Sequence, residues 1–318
     1  MSGRQRIDLH HHILPPPYTS WLASQGIEAA GGRAFPAWSV ESTLRMMEEN
    51  EIAKAIVSVS APGVHPDTNK RDDAAARAMA REVNEFSARV CADRPDRFGF
   101  FATLTLPDVE GALAEAGYAL DQLGAAGVIL LANTHGEYLG ERAHAELYAE
   151  LDRRRAVVFV HPNSLPGPGV PGVPAFAADF LLDTTRAAYR LVQSGVPRRH
   201  PNLRIILSHA GGFVPYASYR LAITLVDEAK GRAVEQLADR VEDFKSFYFD
   251  TAISGTPAAL PSLLAFAKPG HVLYGSDWPF LPALPIRAFT GMLDGHAALD
   301  ADGHAAIDRT NARALLEE

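Results

Sequence analysis

The segment AVVFVHP at 156–162 holds five consecutive apolar residues followed by histidine and proline. A short continuous run rich in β-branched side chains suits a strand buried on both faces of a parallel sheet. Proline fixes φ and offers no N–H to a ladder, so the strand ends at His161. An imidazole at the last position of a buried strand is costly without a partner. That partner is either backbone at the sheet's rim or a bound ligand.

Outward from this run, short β-branched or aromatic stretches alternate with longer Ala-rich helical patterns, which is the signature of repeated βα units. About eight such stretches occur, at Arg6–His10, Lys54–Ser58, Arg97–Ala102, Gly127–Leu131, Ala156–Val160, Arg204–Ser208, Phe247–Thr251 and His271–Gly275. Eight parallel strands close a barrel. Val40–Glu49 and Asp73–Arg94 read as helices, the second with apolar residues at three- and four-residue spacings and no proline. Further helices are expected near Phe176–Gln193 and at Ala305–Leu316, the latter packed on the barrel exterior. The expected fold is a (β/α)₈ TIM barrel of the α/β class, one domain over residues 1–318, since no repeat or polar linker divides it.

Composition narrows the function. Of 318 residues, 47% are hydrophobic and 21% charged, an ordinary globular balance. A net charge of −8 gives no cationic field to attract phosphate backbones or anionic lipid. Nucleic acid and membrane partners are therefore not expected. Cys91 is alone, which excludes an internal disulfide and a multi-cysteine zinc site, and it reads as a packing or surface residue. The first residues, MSGRQRIDLHHHILPPP, hold no apolar run of signal-peptide length, and a cytoplasmic location is expected.

Three segments rich in proline and glycine, at 11–18, 161–174 and 277–285, each leave the C-terminal end of an expected strand. That is the barrel face where active sites are built. In a strand, side chains two apart share a face, so His10 and His12 can project toward one ion while His11 points away. Such a pair alone also fits an ordinary core or surface. His161 ends the fifth strand, His209 ends the sixth in ILSHAGG, and Asp277 follows the eighth in VLYGSDWPF. Independent coincidence explains four strand ends bearing metal- or proton-competent groups poorly.

The order IDLHHH, FVHP, ILSHAGG, YGSDWPF resembles the amidohydrolase superfamily. Within it, the chain resembles the branch of aminocarboxymuconate semialdehyde decarboxylase and related non-oxidative aromatic acid decarboxylases. Stretches such as SAPGV at 60–64, FGFFATL at 98–104, DTTRAA at 183–188 and LSHAGGFVPY at 207–216 look most like 6-methylsalicylate decarboxylases. The resemblance implies His10, His12, His161 and Asp277 as metal ligands and His209 as an acid–base residue beside them. It also implies Arg220 as a carboxylate grip reaching in from a neighbouring subunit, hence a homodimer, with Arg33 as candidate for a second grip. Two-metal relatives carry a lysine at the end of the fourth strand, whereas GVILLANTHGEY at 127–138 has none. One divalent ion is expected, zinc first and manganese second.

The resemblance implies decarboxylation of a small aromatic acid of the ortho-hydroxybenzoate kind. Asp277 would deliver a proton to the ring carbon and His209 would tune it. Trp278 and Phe280 either wall the ring or simply pack. The alternatives are a metal-dependent hydrolase of a lactone or similar ester, using the same ligands, and a silent small-molecule binder. His65 and His135, on the catalytic side, could touch substrate, whereas His144, His200, His271, His296 and His304 read as solvated surface.

Overall fold

The computed structural model describes residues 4–66, 71–227, 229 and 231–317. Eight strands form one all-parallel sheet in sequential order: β1 (Arg6–His12), β2 (Ile52–Ser58), β3 (Phe98–Thr103), β4 (Gly127–Leu131), β5 (Val157–His161), β6 (Arg204–Leu207), β7 (Tyr248–Asp250) and β8 (Val272–Leu273). The segment after β8 returns to β1. Leu9 N–H donates to Tyr274 O at 3.1 Å, Asp277 N–H donates to His10 O at 2.8 Å, and His11 bridges Trp278. The sheet is therefore closed into the expected barrel, with helices between its strands.

Local chemistry sets the helix starts. Ser39 and Ser42 form a capping box before Val40–Glu49, and the Asp72 and Asp108 side chains accept from Ala75 N–H and Gly111 N–H at the starts of Asp73–Asp93 and Val109–Asp121. The expected Phe176–Gln193 helix is a 3₁₀ turn at Ala175–Ala177 followed by Asp179–Ser194, which Gly195 terminates at φ 77°. No described helix is long and apolar enough to cross a membrane.

Apolar side chains form two layers. The larger lies between strands and helices. The smaller fills the barrel, with Leu9, Ile56, Phe101, Ile129, Phe159 and Ile206 among its members, and includes Ala312 and Leu315. The C-terminal segment therefore does not pack on the barrel exterior. It forms Ala301–Ala305, a π turn at Ala306–Thr310 and Asn311–Glu317, and plugs the barrel's N-terminal mouth. Buried Arg6 ties it down through Asp308 at 3.0 Å and also holds Asp294, the last residue of the helix Ala283–Asp294, at 2.6 Å. An apolar stripe does not reveal which of two apolar surfaces it will cover.

A bulge in β1 positions the site. Asp8 pairs with Ala55 and His11 with Val57, so three steps along β1 span two along β2. The extra residue shifts the alternation. Leu9 belongs to the inner core, yet His10 packs against Phe159 of that core at 5.0 Å. His11 turns the other way, its Nδ1 2.8 Å from Asp8 Oδ2.

Because Leu315 is buried in the inner layer, Leu315→Ala should cost about 2–5 kcal/mol of stability. Urea denaturation would measure it, and a change below about 0.5 kcal/mol would contradict the plug.

Candidate active site

His10 and His12 leave the bulge, His161 ends β5, and Asp277 lies on the turn after β8 with φ 64°, a left-handed conformation that aspartate tolerates better than most residues. One potential ligand atom from each lies within 4.8 Å of the others, and all four residues are buried. His10 Nε2 is 3.1 Å from His12 Nε2, and Asp277 Oδ1 is 3.3 and 3.2 Å from those two nitrogens.

The far side of each ring decides what the near side can do. His10 Nδ1 faces Asp250 Oδ2 at 2.8 Å, His12 Nδ1 faces Ser58 O at 3.3 Å, and His161 Nδ1 faces Pro162 O at 2.8 Å. A neutral ring keeps its one proton on Nδ1 to satisfy that acceptor and turns the Nε2 lone pair inward. Three lone pairs and a carboxylate oxygen then converge, which is unfavourable unless a cation lies between them. Separations near 3.2 Å suit donor atoms around an ion held at about 2 Å. The residues fit one divalent metal.

Protonation tendencies agree. Burial, and then the neighbouring histidines, hold the His161 pKa well below its ordinary value, and burial also lowers His12. Burial works to raise Asp277, but His10, His12 and His209 outweigh it and hold it well below the usual carboxylate range. Burial disfavours a charged His10 as well, yet Asp250 and Asp277 raise it to about 10. The same carboxylates that favour a proton there favour a metal cation in its place.

His209 stands just outside this set, its Nε2 3.6 Å from Asp277 Oδ2. Its backbone is left-handed at φ 53°, and its N–H donates to Asp250 Oδ1 at 3.0 Å. Asp250 therefore orients both His10 and His209, a role the sequence reading missed. The signal was present in YFD, a carboxylate ending a buried strand.

A cavity of about 440 Å³ opens over the centre, with His161, His209, Asp277, Arg33, Phe180 and Phe280 in its lining. The ring of Phe280 lies edge-on to His12 at 5.4 Å, and that of Phe180 edge-on to His161 at 6.0 Å. Arg33 donates to Phe280 O and lies over the Phe176 ring at 4.3 Å. Trp278 is turned out of the cavity, its Nε1 donating to Thr43 Oγ1 at 3.1 Å, which is the packing role. Arg220 is exposed on the helix Val214–Ile223, apart from the cavity of its own chain. His65 and His135 are engaged by backbone, facing Thr105 O at 3.0 Å and His65 O at 2.7 Å. Two expected surface histidines are not simply solvated: His144 is buried against Glu137 at 2.9 Å, and His271 stacks on Tyr248 at 4.0 Å.

A barrel with one mononuclear ligand set at its C-terminal mouth defines a class, and the chain belongs to it: the amidohydrolase family matches residues 7–317. The chain is 39% identical over 303 residues to the 6-methylsalicylic acid decarboxylase of Penicillium expansum, covering 92% of this chain and 90% of that one. A solved amidohydrolase II structure superposes with a TM-score of 0.89 at 31% identity, over 98% of this chain and 100% of that one. A dihydroxybenzoic acid decarboxylase of Polaromonas sp. JS666, solved with manganese and 2-nitroresorcinol, shares the fold with a TM-score of 0.78 at 22% identity, over 100% and 97% of the two chains.

Asp250→Asn should weaken metal affinity by about 10–100-fold, because His10 loses the carboxylate that fixes its ring. Equilibrium dialysis would measure this. Protons and metal compete for the same nitrogens, so affinity should fall as pH falls. At neutral pH each bound ion should displace about one proton, that of His10, which titration calorimetry in buffers of different ionisation enthalpy would count.

Proposed function

We propose that this protein is a divalent-metal-dependent, non-oxidative carboxy-lyase that removes carbon dioxide from a small aromatic acid bearing a hydroxyl beside its carboxylate. The observation that carries this reading is the four-residue centre at the floor of an aromatic-walled cavity, with His209 in reach of Asp277. Its 39% identity to a named decarboxylase favours the lyase over the lactone hydrolase that the same ligands would serve.

A bound divalent ion would supply Lewis acidity toward the acid's carboxylate and phenol oxygens. The chain does the rest. Phe180 and Phe280 flank a slot for a flat ring. Arg33 places positive charge in the cavity wall, and Arg220 grips the carboxylate from a second copy. His209 passes a proton to Asp277, which delivers it to the ring carbon bearing the carboxylate. The carbon–carbon bond then breaks, its electron pair restores the aromatic ring, and carbon dioxide leaves.

Both zinc and manganese suit two or three imidazoles and a carboxylate. The manganese bound by the Polaromonas enzyme favours manganese. A homodimer is supported by the exposed face that carries Arg220, where Phe213, Tyr216, Tyr219 and Ile223 are 40%, 87%, 66% and 51% exposed. The chain acts as one barrel domain, and its lone free cysteine suits the cytoplasm.

Metal-loaded enzyme given 6-methylsalicylate should release carbon dioxide and 3-methylphenol, followed by chromatography. Failure with every hydroxybenzoate would overturn the lyase. His209→Ala should lower kcat by about 10²–10⁴-fold at unchanged metal content, and loss of metal would make it a ligand. Mixing inactive Arg220→Ala and His209→Ala protomers should restore part of the activity, because one mixed site regains both groups. No recovery would place Arg220 outside the partner's site.

A further inference from the structure

Only one part of the cavity faces the metal centre. Away from it the wall is apolar: Ile253 and Ala259 follow β7, and Leu281 and Phe289 follow β8. The two segments are drawn together at Gly255, where a Cβ would meet Leu293 Cβ at 3.1 Å. Ile253 is held at φ 54°. A β-branched residue rarely adopts that left-handed conformation, and such strain persists where the surroundings impose it, commonly at ligand-binding walls. Besides Arg33 and the metal-side groups, the polar side chains lining the cavity are Ser60 and Ser254.

At about 440 Å³ the cavity is of the size that encloses drug-sized molecules, more than one small substituted ring needs. Apolar surface of this kind gains from excluding water only when an apolar group fills it. Ile253 lies three residues past Asp250, and Leu281 four past Asp277, so the annex adjoins the centre. On the decarboxylase reading, which turns the carboxylate and phenol oxygens toward the centre, the other position flanking the carboxylate is the one left to face the annex.

We propose that the annex between the 253–259 segment and the helix Ala283–Asp294 receives an apolar substituent larger than methyl, making 2-hydroxy-6-alkylbenzoates with extended chains the preferred substrate class. This rests on the decarboxylase reading. A ring bearing a second hydroxyl at that position finds mostly carbon there and is a poorer substrate.

The test compares 2-hydroxy-6-methyl-, 6-propyl- and 6-pentylbenzoate as substrates of the metal-loaded enzyme, and the corresponding 3-alkylphenols as competitive inhibitors. Inhibitor affinity should rise about fourfold per methylene, and kcat/KM for the pentyl acid should equal or exceed that for the methyl acid. Ala259→Phe, which fills the annex, should lower the pentyl-to-methyl kcat/KM ratio at least tenfold. Phenol affinities that stay flat along the series, with pentyl turnover below a tenth of methyl turnover, would overturn the proposal and leave the decarboxylase reading standing. Absence of turnover for every acid would overturn that reading instead, and the phenol series would still decide the annex.

Discussion

Three imidazole lone pairs and one carboxylate oxygen within 4.8 Å of one another, those of His10, His12 and Asp277 at 3.1–3.3 Å, cannot be aimed at a common point without something positive between them. Much of the surrounding structure enforces that convergence. Asp250, the Ser58 carbonyl and the Pro162 carbonyl hold the Nδ1 protons outward. The bulge in β1 gives His10 and His12 the face that Ile7 and Leu9 already use. Around the centre, His209, Ala210, Ile253 and Asp277 all take left-handed backbone. Each non-glycine residue held so costs of the order of 1–3 kcal/mol. Packing and closure of the barrel supply the compensation.

The helix Asp179–Ser194 is part of that packing. Gly212 approaches it so closely that a Cβ there would strike the Leu181 carbonyl oxygen. Thr185 Oγ1 donates to that oxygen and accepts from Phe213 N–H at 2.9 Å, fastening the turn that carries His209. Two residues earlier, Asp183 accepts from Asn163 N–H at 2.8 Å and Asn133 Nδ2 at 2.9 Å, fastening the loop that follows His161. Burial pushes the Asp183 pKa up to about 6. One helix thus braces the exits of two strands, and the polar residues buried in DTTRAA are the braces.

The strands, their order and the four converging residues were legible in the sequence, because a strand buried on both faces and ending in a polar group has few explanations. What was illegible depended on relations between distant segments. The bulge at Leu9 and His10 has no glycine to mark it. FYFDT marks Asp250 as a carboxylate ending a buried strand, but nothing in it says that the carboxylate reaches His10 and His209. Trp278 and Phe280 sit two residues apart in a proline-rich turn, and only the reach of Thr43 separates the packing ring from the cavity ring. The C-terminal segment reads as a helix packed on the barrel exterior, but the surface it covers is set by the open N-terminal mouth of the barrel.

On the proposed reading His209 is a proton carrier, and its surroundings differ from those of the three histidines proposed as ligands. His10, His12 and His161 each have Nδ1 facing an acceptor, which leaves Nε2 a lone pair. His209 Nδ1 is buried with no hydrogen-bond partner, while its Nε2 lies 3.6 Å from Asp277 Oδ2. The proposed transfer runs along that Nε2–Asp277 contact: as an imidazolium the ring gives its Nε2 proton toward Asp277, and as a neutral ring it takes one back there. A ligand needs a neutral ring with a bare Nε2, whereas an acid–base group alternates between the two protonation states. On the proposed reading, Asp250 serves both: it fixes the His10 ring through its side chain but holds His209 only by the backbone N–H, which positions the residue and leaves its imidazole free to exchange a proton.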